Sequence, residues 1–159
     1  MTGESPRLTS RQLGCLVGVS VRQLDYWWRT FLVVPSIKKR GRRQYYAFTD
    51  IVLAKLVAVL RQSGFTLQRV RKLVGHVRTA LLRLTFPLQS CCMVIQPAPL
   101  LGGNKPTRHA VADKVFLFSG DVIMTADEAS RFILLDVRDL AMEVDRMCGT
   151  EVHDRRFWR

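Results

Sequence analysis

Four stretches in the first half of the chain carry apolar residues at helical spacing, and each opens on a hydroxyl residue. Thr9 with Gln12 reads as a capping box flanked by Leu8 and Leu13, and Ser20 with Gln23 as a second flanked by Val19 and Leu24. Thr49 between Phe48 and Leu53, and Thr66 between Phe65 and Val70, repeat the theme. A hydroxyl at such a position accepts a hydrogen bond from an orphan backbone N–H, and the flanking apolar pair fixes the angle at which the chain enters the helix. The pattern predicts helices over about Ser10–Leu16, Val21–Thr30, Asp50–Ser63 and Leu67–Arg83. Gly18 closes the first, Pro35 follows the second, and Gly64 stops the third as a left-handed cap. Gly75 weakens the fourth, which finishes before Pro87.

Between helices two and three, Ser36–Phe48 reads as strand, turn and strand, with the turn near Arg40–Gly41–Arg42. Beyond Leu88 the pattern changes. Cys91–Gln96, Lys114–Ser119 and Phe132–Val137 are strand-like, and Asp127–Ser130 is a helical turn. Arg138–Met147 is a short helix, and Pro97–Asp113 is loop by composition. The last twelve residues read as a tail in which Phe157 and Trp158 could dock back. The expected fold class is α+β: an N-terminal winged helix-turn-helix of four helices with a β-hairpin wing, then a small mixed C-terminal module. The expected boundaries are residues 8–86 for the first domain, 87–113 for a linker and loop with one strand, 114–148 for the module and 149–159 for the tail.

Charge sharpens this picture. The chain has 25 Lys and Arg against 13 Asp and Glu, a formal net charge of +12. Up to Gln89 there are 16 basic and 3 acidic residues, and from Ser90 onward 9 and 10. The excess cation is confined to the helical half, which points to a polyanion, nucleic acid before an anionic membrane. The longest apolar run, Ile51–Leu60, is broken by Lys55 and falls far short of the ~20 residues of a membrane span. The first ten residues lack the apolar core of a signal peptide, so a cytoplasmic setting is expected. The four cysteines, Cys15, Cys91, Cys92 and Cys148, show no ligand spacing, and His76, His109 and His153 are scattered. No metal, no cofactor and no enzymatic constellation is expected.

On helix two, Val21, Leu24, Trp28 and Phe31 form the expected inward stripe. Arg22, Gln23, Tyr26 and Arg29 lie on the other side. Arg can fork onto guanine, Gln onto adenine, and Tyr can bond a phosphate. A polar helix face alone is ordinary solvated surface. Helix one immediately upstream, separated by Gly18, turns the pair into a helix-turn-helix. The loop Lys38–Arg43 places five cations in six residues, followed by Tyr45 and Tyr46. It reads as a wing lying on the phosphate backbone. The candidate DNA-binding set is Arg11, Arg22, Gln23, Tyr26, Arg29, Lys38, Lys39, Arg40, Arg42, Arg43, Tyr45 and Tyr46.

These residues resemble the MerR family of bacterial transcription regulators. Val19, Ser20, Arg22, Leu24, Tyr26, Leu32 and Pro35 fall on the family's helix-two pattern. Gly41, Arg43, Tyr46 and Asp50 fall on its wing, and SGFTLQRVRKLV at Ser63–Val74 matches the segment after helix three. The resemblance covers about Leu8–Val74. It implies double-stranded DNA as partner, a homodimer, and possible action with RNA polymerase at a promoter. The sequence departs from the pattern at Asp25, which could pair with Arg22 or Arg29, at Phe31 and at Gln44. Phe31 replaces the usual Gly, so the turn after helix two is expected to take another shape. A pairing seam of Leu67, Val70, Val74, Val77, Leu81 and Leu84 is short for a coiled coil, and the same stripe could pack within the chain. The leading expectation is a sequence-specific DNA-binding transcriptional regulator. The rivals are an architectural or excisionase-like DNA-binding protein and an antitoxin-like protein-interaction module.

Overall fold

The structure is a computed structural model and describes residues 7–38, 44–98, 113–120 and 122–154. The fold is α+β, with six α-helices and two three-stranded antiparallel sheets among the described residues. The chain divides into two compact units, Met1–Val74 with Asp139–Arg159, and Gly75–Arg138.

The first unit opens with β1 (Arg7–Thr9), α1 (Ser10–Val17) and α2 (Val21–Arg29). Then follow β2 (Ile37–Lys38), β3 (Gln44–Ala47) and α3 (Phe48–Gln62), and α4 (Leu67–Leu81) begins in this unit. Strand β3 is central in its sheet. It pairs with β1 through Leu8 opposite Tyr46, and with β2 through Ile37 opposite Tyr45. The first two capping boxes form as expected. The Gln12 carbonyl oxygen accepts from the Thr9 N–H at 2.8 Å, and the Gln23 oxygen from the Ser20 N–H at 2.9 Å. The Thr66 hydroxyl accepts from the Arg69 N–H at 3.4 Å at the start of α4.

Helix α3 is the hub of this unit. Phe48, Ile51, Val52, Leu53, Ala54, Leu56, Val57, Ala58 and Leu60 are all buried. A helix apolar around most of its circumference belongs inside a fold. Leu8, Leu13, Leu16, Val17, Leu24, Trp27, Leu32, Val33, Tyr46 and Phe65 are buried as well. On α4 the stripe Val70, Leu73, Val74 and Val77 is already buried within the single chain. Val70, Val74 and Val77, half of the seam expected to pair two subunits, are therefore covered without a second copy, and Leu67, Leu81 and Leu84 are only half-exposed.

The start of α3 corrects the expected cap. Ala47, with φ −72° and ψ 166°, is the N-cap, and Thr49 lies exposed inside the first turn. Asp50 reaches back instead, accepting the Ala47 N–H at 2.9 Å. The helix begins two residues early because Phe48 is buried and Asp50 satisfies an orphan donor.

The second unit holds β4 (Cys91–Gln96), β5 (Lys114–Ser119), α5 (Ala126–Arg131) and β6 (Ile133–Asp136). The first two strands have the limits the pattern predicts. The sheet order is β5-β4-β6, with Met93 opposite both Leu117 and Leu135. Central β4 is buried from Cys91 to Ile95, whereas edge strand β5 alternates. Burial, with the neighbouring Cys92 thiol, pushes the Cys91 thiol up. Such a thiol stays protonated and behaves as a small apolar side chain. Helix α6 (Val137–Asp154) begins in this unit and belongs to the first from Asp139 onward; it buries Val137, Leu140 and Val144 and runs past the expected end at Met147. No helix among the described residues is long and apolar enough to cross a membrane.

The turn between α1 and α2 depends on Gly14. Its carbonyl accepts the N–H groups of Gly18 and Val19. A Cβ on Gly14 would lie 2.7 Å from the Val19 carbonyl oxygen, a backbone atom with no freedom to swing away. Gly14→Ala is expected to destabilise the fold by about 1–3 kcal/mol despite alanine's better helix propensity, because overpacking outweighs that gain. Urea denaturation of the two proteins checks this, and an unchanged or raised midpoint would show that the turn tolerates the methyl.

Candidate nucleic-acid interface

Helix α2 buries one side and presents the other. Leu24 and Trp27, three residues apart, face inward, and Trp27 is 6% exposed. Trp28 is 36%, Val21 50% and Phe31 76% exposed. The expected inward stripe is thus corrected: Leu24 holds, Trp27 takes the place given to Trp28, and Val21 and Phe31 face out. The reason lies at the helix end. The Leu32 N–H donates to the Trp27 carbonyl at 2.8 Å and the Phe31 N–H to the Trp28 carbonyl at 3.0 Å. These are the two bonds of a Schellman motif, which brings buried Leu32 back onto the helix beside Trp27.

The motif requires a left-handed residue at Phe31, which has φ 56°. The expectation that this turn takes another shape is corrected, since it keeps the glycine geometry with a phenylalanine in it. The end of α3 makes the comparison. There Phe65 donates to Leu60 and Gly64 to Arg61, both at 3.1 Å, with φ 83° at Gly64. A side chain in the left-handed region costs roughly 1–2 kcal/mol that glycine avoids.

The outward side of α2 carries Arg22, Tyr26 and Arg29, all exposed. Of the two partners open to Asp25, the structure pairs it with Arg29, Nε to carboxylate at 3.0 Å. That contact fixes the direction of an otherwise free guanidinium. Gln23 is exposed, but its carbonyl oxygen accepts from both the N–H and the hydroxyl of Ser20, at 2.9 and 3.2 Å. A two-point bond to adenine needs that oxygen together with the amide nitrogen. The cap therefore leaves Gln23 its NH2 group for an outside partner. Arg11 is exposed in the first turn of α1.

The wing is anchored by one carboxylate. Asp50 is 8% exposed, and its Oδ2 accepts from the Ser36 N–H at 2.9 Å, the Ser36 hydroxyl at 2.6 Å and the Ala47 N–H at 2.9 Å. Ser36 enters the hairpin and Ala47 leaves it. Lys38 pairs with Gln44 at the last described rung, so five residues connect the strands. Lys39, Arg40, Arg42 and Arg43 lie outside the described residues. Tyr45 is half-buried, with the Arg7 guanidinium 6.0 Å from its ring centre.

Tyr46, included in the expected contact set, is a core residue, 2% exposed and hydrogen-bonded to Ser10. Strand alternation explains it. Tyr45 and Tyr46 are adjacent, so they point to opposite faces of the sheet. Burial pushes the Tyr46 hydroxyl up; the Ser10 bond opposes the shift, and the charges of Asp50 and Asp25 add to it. Among the described residues no three His, Cys, Asp or Glu side chains are grouped to hold a metal ion.

Asp50→Ala leaves three part-buried donors, two on Ser36 and one on Ala47, without their acceptor and is expected to cost about 1–3 kcal/mol. Denaturant titration measures that loss, and a change below about 1 kcal/mol would mean that other groups hold the hairpin. For Tyr46, the unfolded chain ionises from about pH 10, the ordinary tyrosine value, while the folded protein retains the proton to higher pH. Stability should therefore fall as pH rises above about 10. Tyr46→Phe should show a shallower fall in stability over that range, even though it starts lower for want of the Ser10 bond. Identical slopes would show that the hydroxyl titrates as in water.

Residues 8–76 match the family model described as MerR HTH family regulatory protein. HTH-type transcriptional regulators of Mycobacterium bovis and Mycobacterium tuberculosis are each 44% identical to this chain over 66 residues. The aligned part is 40% of this chain and 29% of those proteins, so the likeness spans less than a third of the relatives' length. The helix-turn-helix, β2, β3, α3 and the first part of α4 lie in the matched segment. Residues 8–76 of this chain are thus a helix-turn-helix domain of the MerR family.

Proposed function

We propose that this chain is a DNA-binding transcriptional regulator, acting in the bacterial cytoplasm, in which α2 enters the major groove and the wing lies on the phosphate backbone. The observation that carries the proposal is the outward face of α2, where Arg22, Tyr26 and Arg29 stand exposed, in a chain whose next element is a hairpin with the connecting sequence Lys-Arg-Gly-Arg-Arg. Arg22, in the first turn, is placed to fork onto a guanine, since residues near the start of a recognition helix reach deepest. Arg29, held by Asp25, and Tyr26 address phosphates nearer the rim. Lys39, Arg40, Arg42 and Arg43 supply sequence-independent attraction, with Tyr45 at the wing's base. Tyr46 has a structural role. Two copies would present two such heads to an inverted repeat. The buried stripe of α4 supports pairing through a surface other than the expected seam. Contact with RNA polymerase at a promoter is part of the same reading.

The test is selection of bound duplexes from a random library, followed by gel-shift titration of variants. Arg22→Ala is expected to lower discrimination at one base pair by about 1–3 kcal/mol while non-specific binding persists. Arg43→Ala is expected to weaken every duplex alike and to lessen the salt dependence by about one ion. If both variants weaken all sequences equally, α2 is not the reading element.

A further inference from the structure

The outward apolar residues of α2 are not used by the reading above. Val21 and Trp28 are seven residues apart, two helical turns, and so lie on one flank of the helix, between the buried side and the arginine face. Phe31 closes the same helix. It is three-quarters exposed and sits in a left-handed conformation that the ends of α1 and α3 give to glycine, at Gly18 and Gly64. Non-glycine residues in this backbone region cluster at ligand-contacting sites.

The dimensions of α2 indicate what that contact is. A helix with its side chains is about 10–12 Å across, and the major groove is about 12 Å wide. A helix lying in the groove therefore presents its flanks to the groove walls as well as its tip to the floor. The apolar features of those walls are the 5-methyl group of thymine and the C–H faces of deoxyribose. Val21 is the first helical residue, beside Arg22, at the end that reaches deepest. Phe31 lies ten residues on, roughly 15 Å along the axis at a rise of about 1.5 Å per residue, near the rim where sugars are exposed. The neighbouring cations, Arg22 and Arg29, favour a polyanion with apolar faces.

We propose that Val21 and Phe31 make apolar contacts at the two ends of α2 in the DNA interface, Val21 against a thymine 5-methyl group and Phe31 against deoxyribose. This rests on the groove reading of α2 and adds a preference for thymine that hydrogen bonding alone does not give. The exposed position also explains why phenylalanine is tolerated where glycine would relieve strain.

The experiment uses the full chain and the duplexes selected with it. Each thymine is replaced in turn by deoxyuridine, which removes only the methyl group. At one or two positions the protein is expected to lose about fourfold in affinity, the worth of one buried methyl. Val21→Ala should bind the thymine and uracil duplexes equally, with its melting temperature checked alongside. Phe31→Gly should melt at a higher temperature yet bind every selected duplex several-fold more weakly. The proposal is overturned if uracil is neutral at every position and Phe31→Gly gains stability without losing affinity. In that outcome the two apolar residues serve something other than DNA, such as a partner protein. Selection that yields no duplex even at low salt would remove the groove reading itself, and this inference with it, so the two failures are distinguishable.

Discussion

One buried carboxylate sets the position of the wing. Asp50 sits in the first turn of the central helix and accepts hydrogen bonds from both ends of the hairpin, from Ser36 where it begins and Ala47 where it ends. The hairpin itself has few rungs, since β2 contributes only Ile37 and Lys38. So short a ribbon has little stability of its own. Its base is held because the most buried helix of the unit supplies the acceptor, and because the helix N-terminus favours a negative charge there. The wing's direction is thus inherited from α3 and does not depend on the basic residues that make it useful.

The same economy governs α2. Its N-terminus is closed by Ser20 and Gln23, and its C-terminus by the Schellman bonds through Phe31 and Leu32. Both devices orient the helix, and both constrain its chemistry. The cap occupies one of the two atoms with which Gln23 could address a base. The turn forces an aromatic into the left-handed region at the helix end. A reading helix held at both ends is pre-organised, which lowers the ordering cost of binding.

Much of the fold was legible because its signals are local. A capping box needs only residues three apart, and the two boxes at Thr9 and Ser20 form as the pattern predicts. Strand-like apolar runs flanked by turn and loop residues located β4 and β5. Strand β1 was not expected, since three residues, Arg7–Thr9, become a strand only by pairing with β3, nearly forty positions away. The choice between Trp27 and Trp28 was also beyond the pattern. Both are large and apolar, and the inward one is set by where Leu32 folds back.

The sequence by itself determined the class of fold, the helix-turn-helix with its wing, and the concentration of positive charge in the first 89 residues. Those features follow from local hydrogen-bonding grammar, periodicity and counting. Only the tertiary structure decided that Tyr46 belongs to the core and Tyr45 to the surface side, that Asp25 holds Arg29, and that the α4 stripe is consumed within one chain. Each of these depends on which neighbour fills the space beside a side chain. Burial is a property of the assembled neighbourhood, so identical residue types one position apart acquire different roles only after the chain has folded.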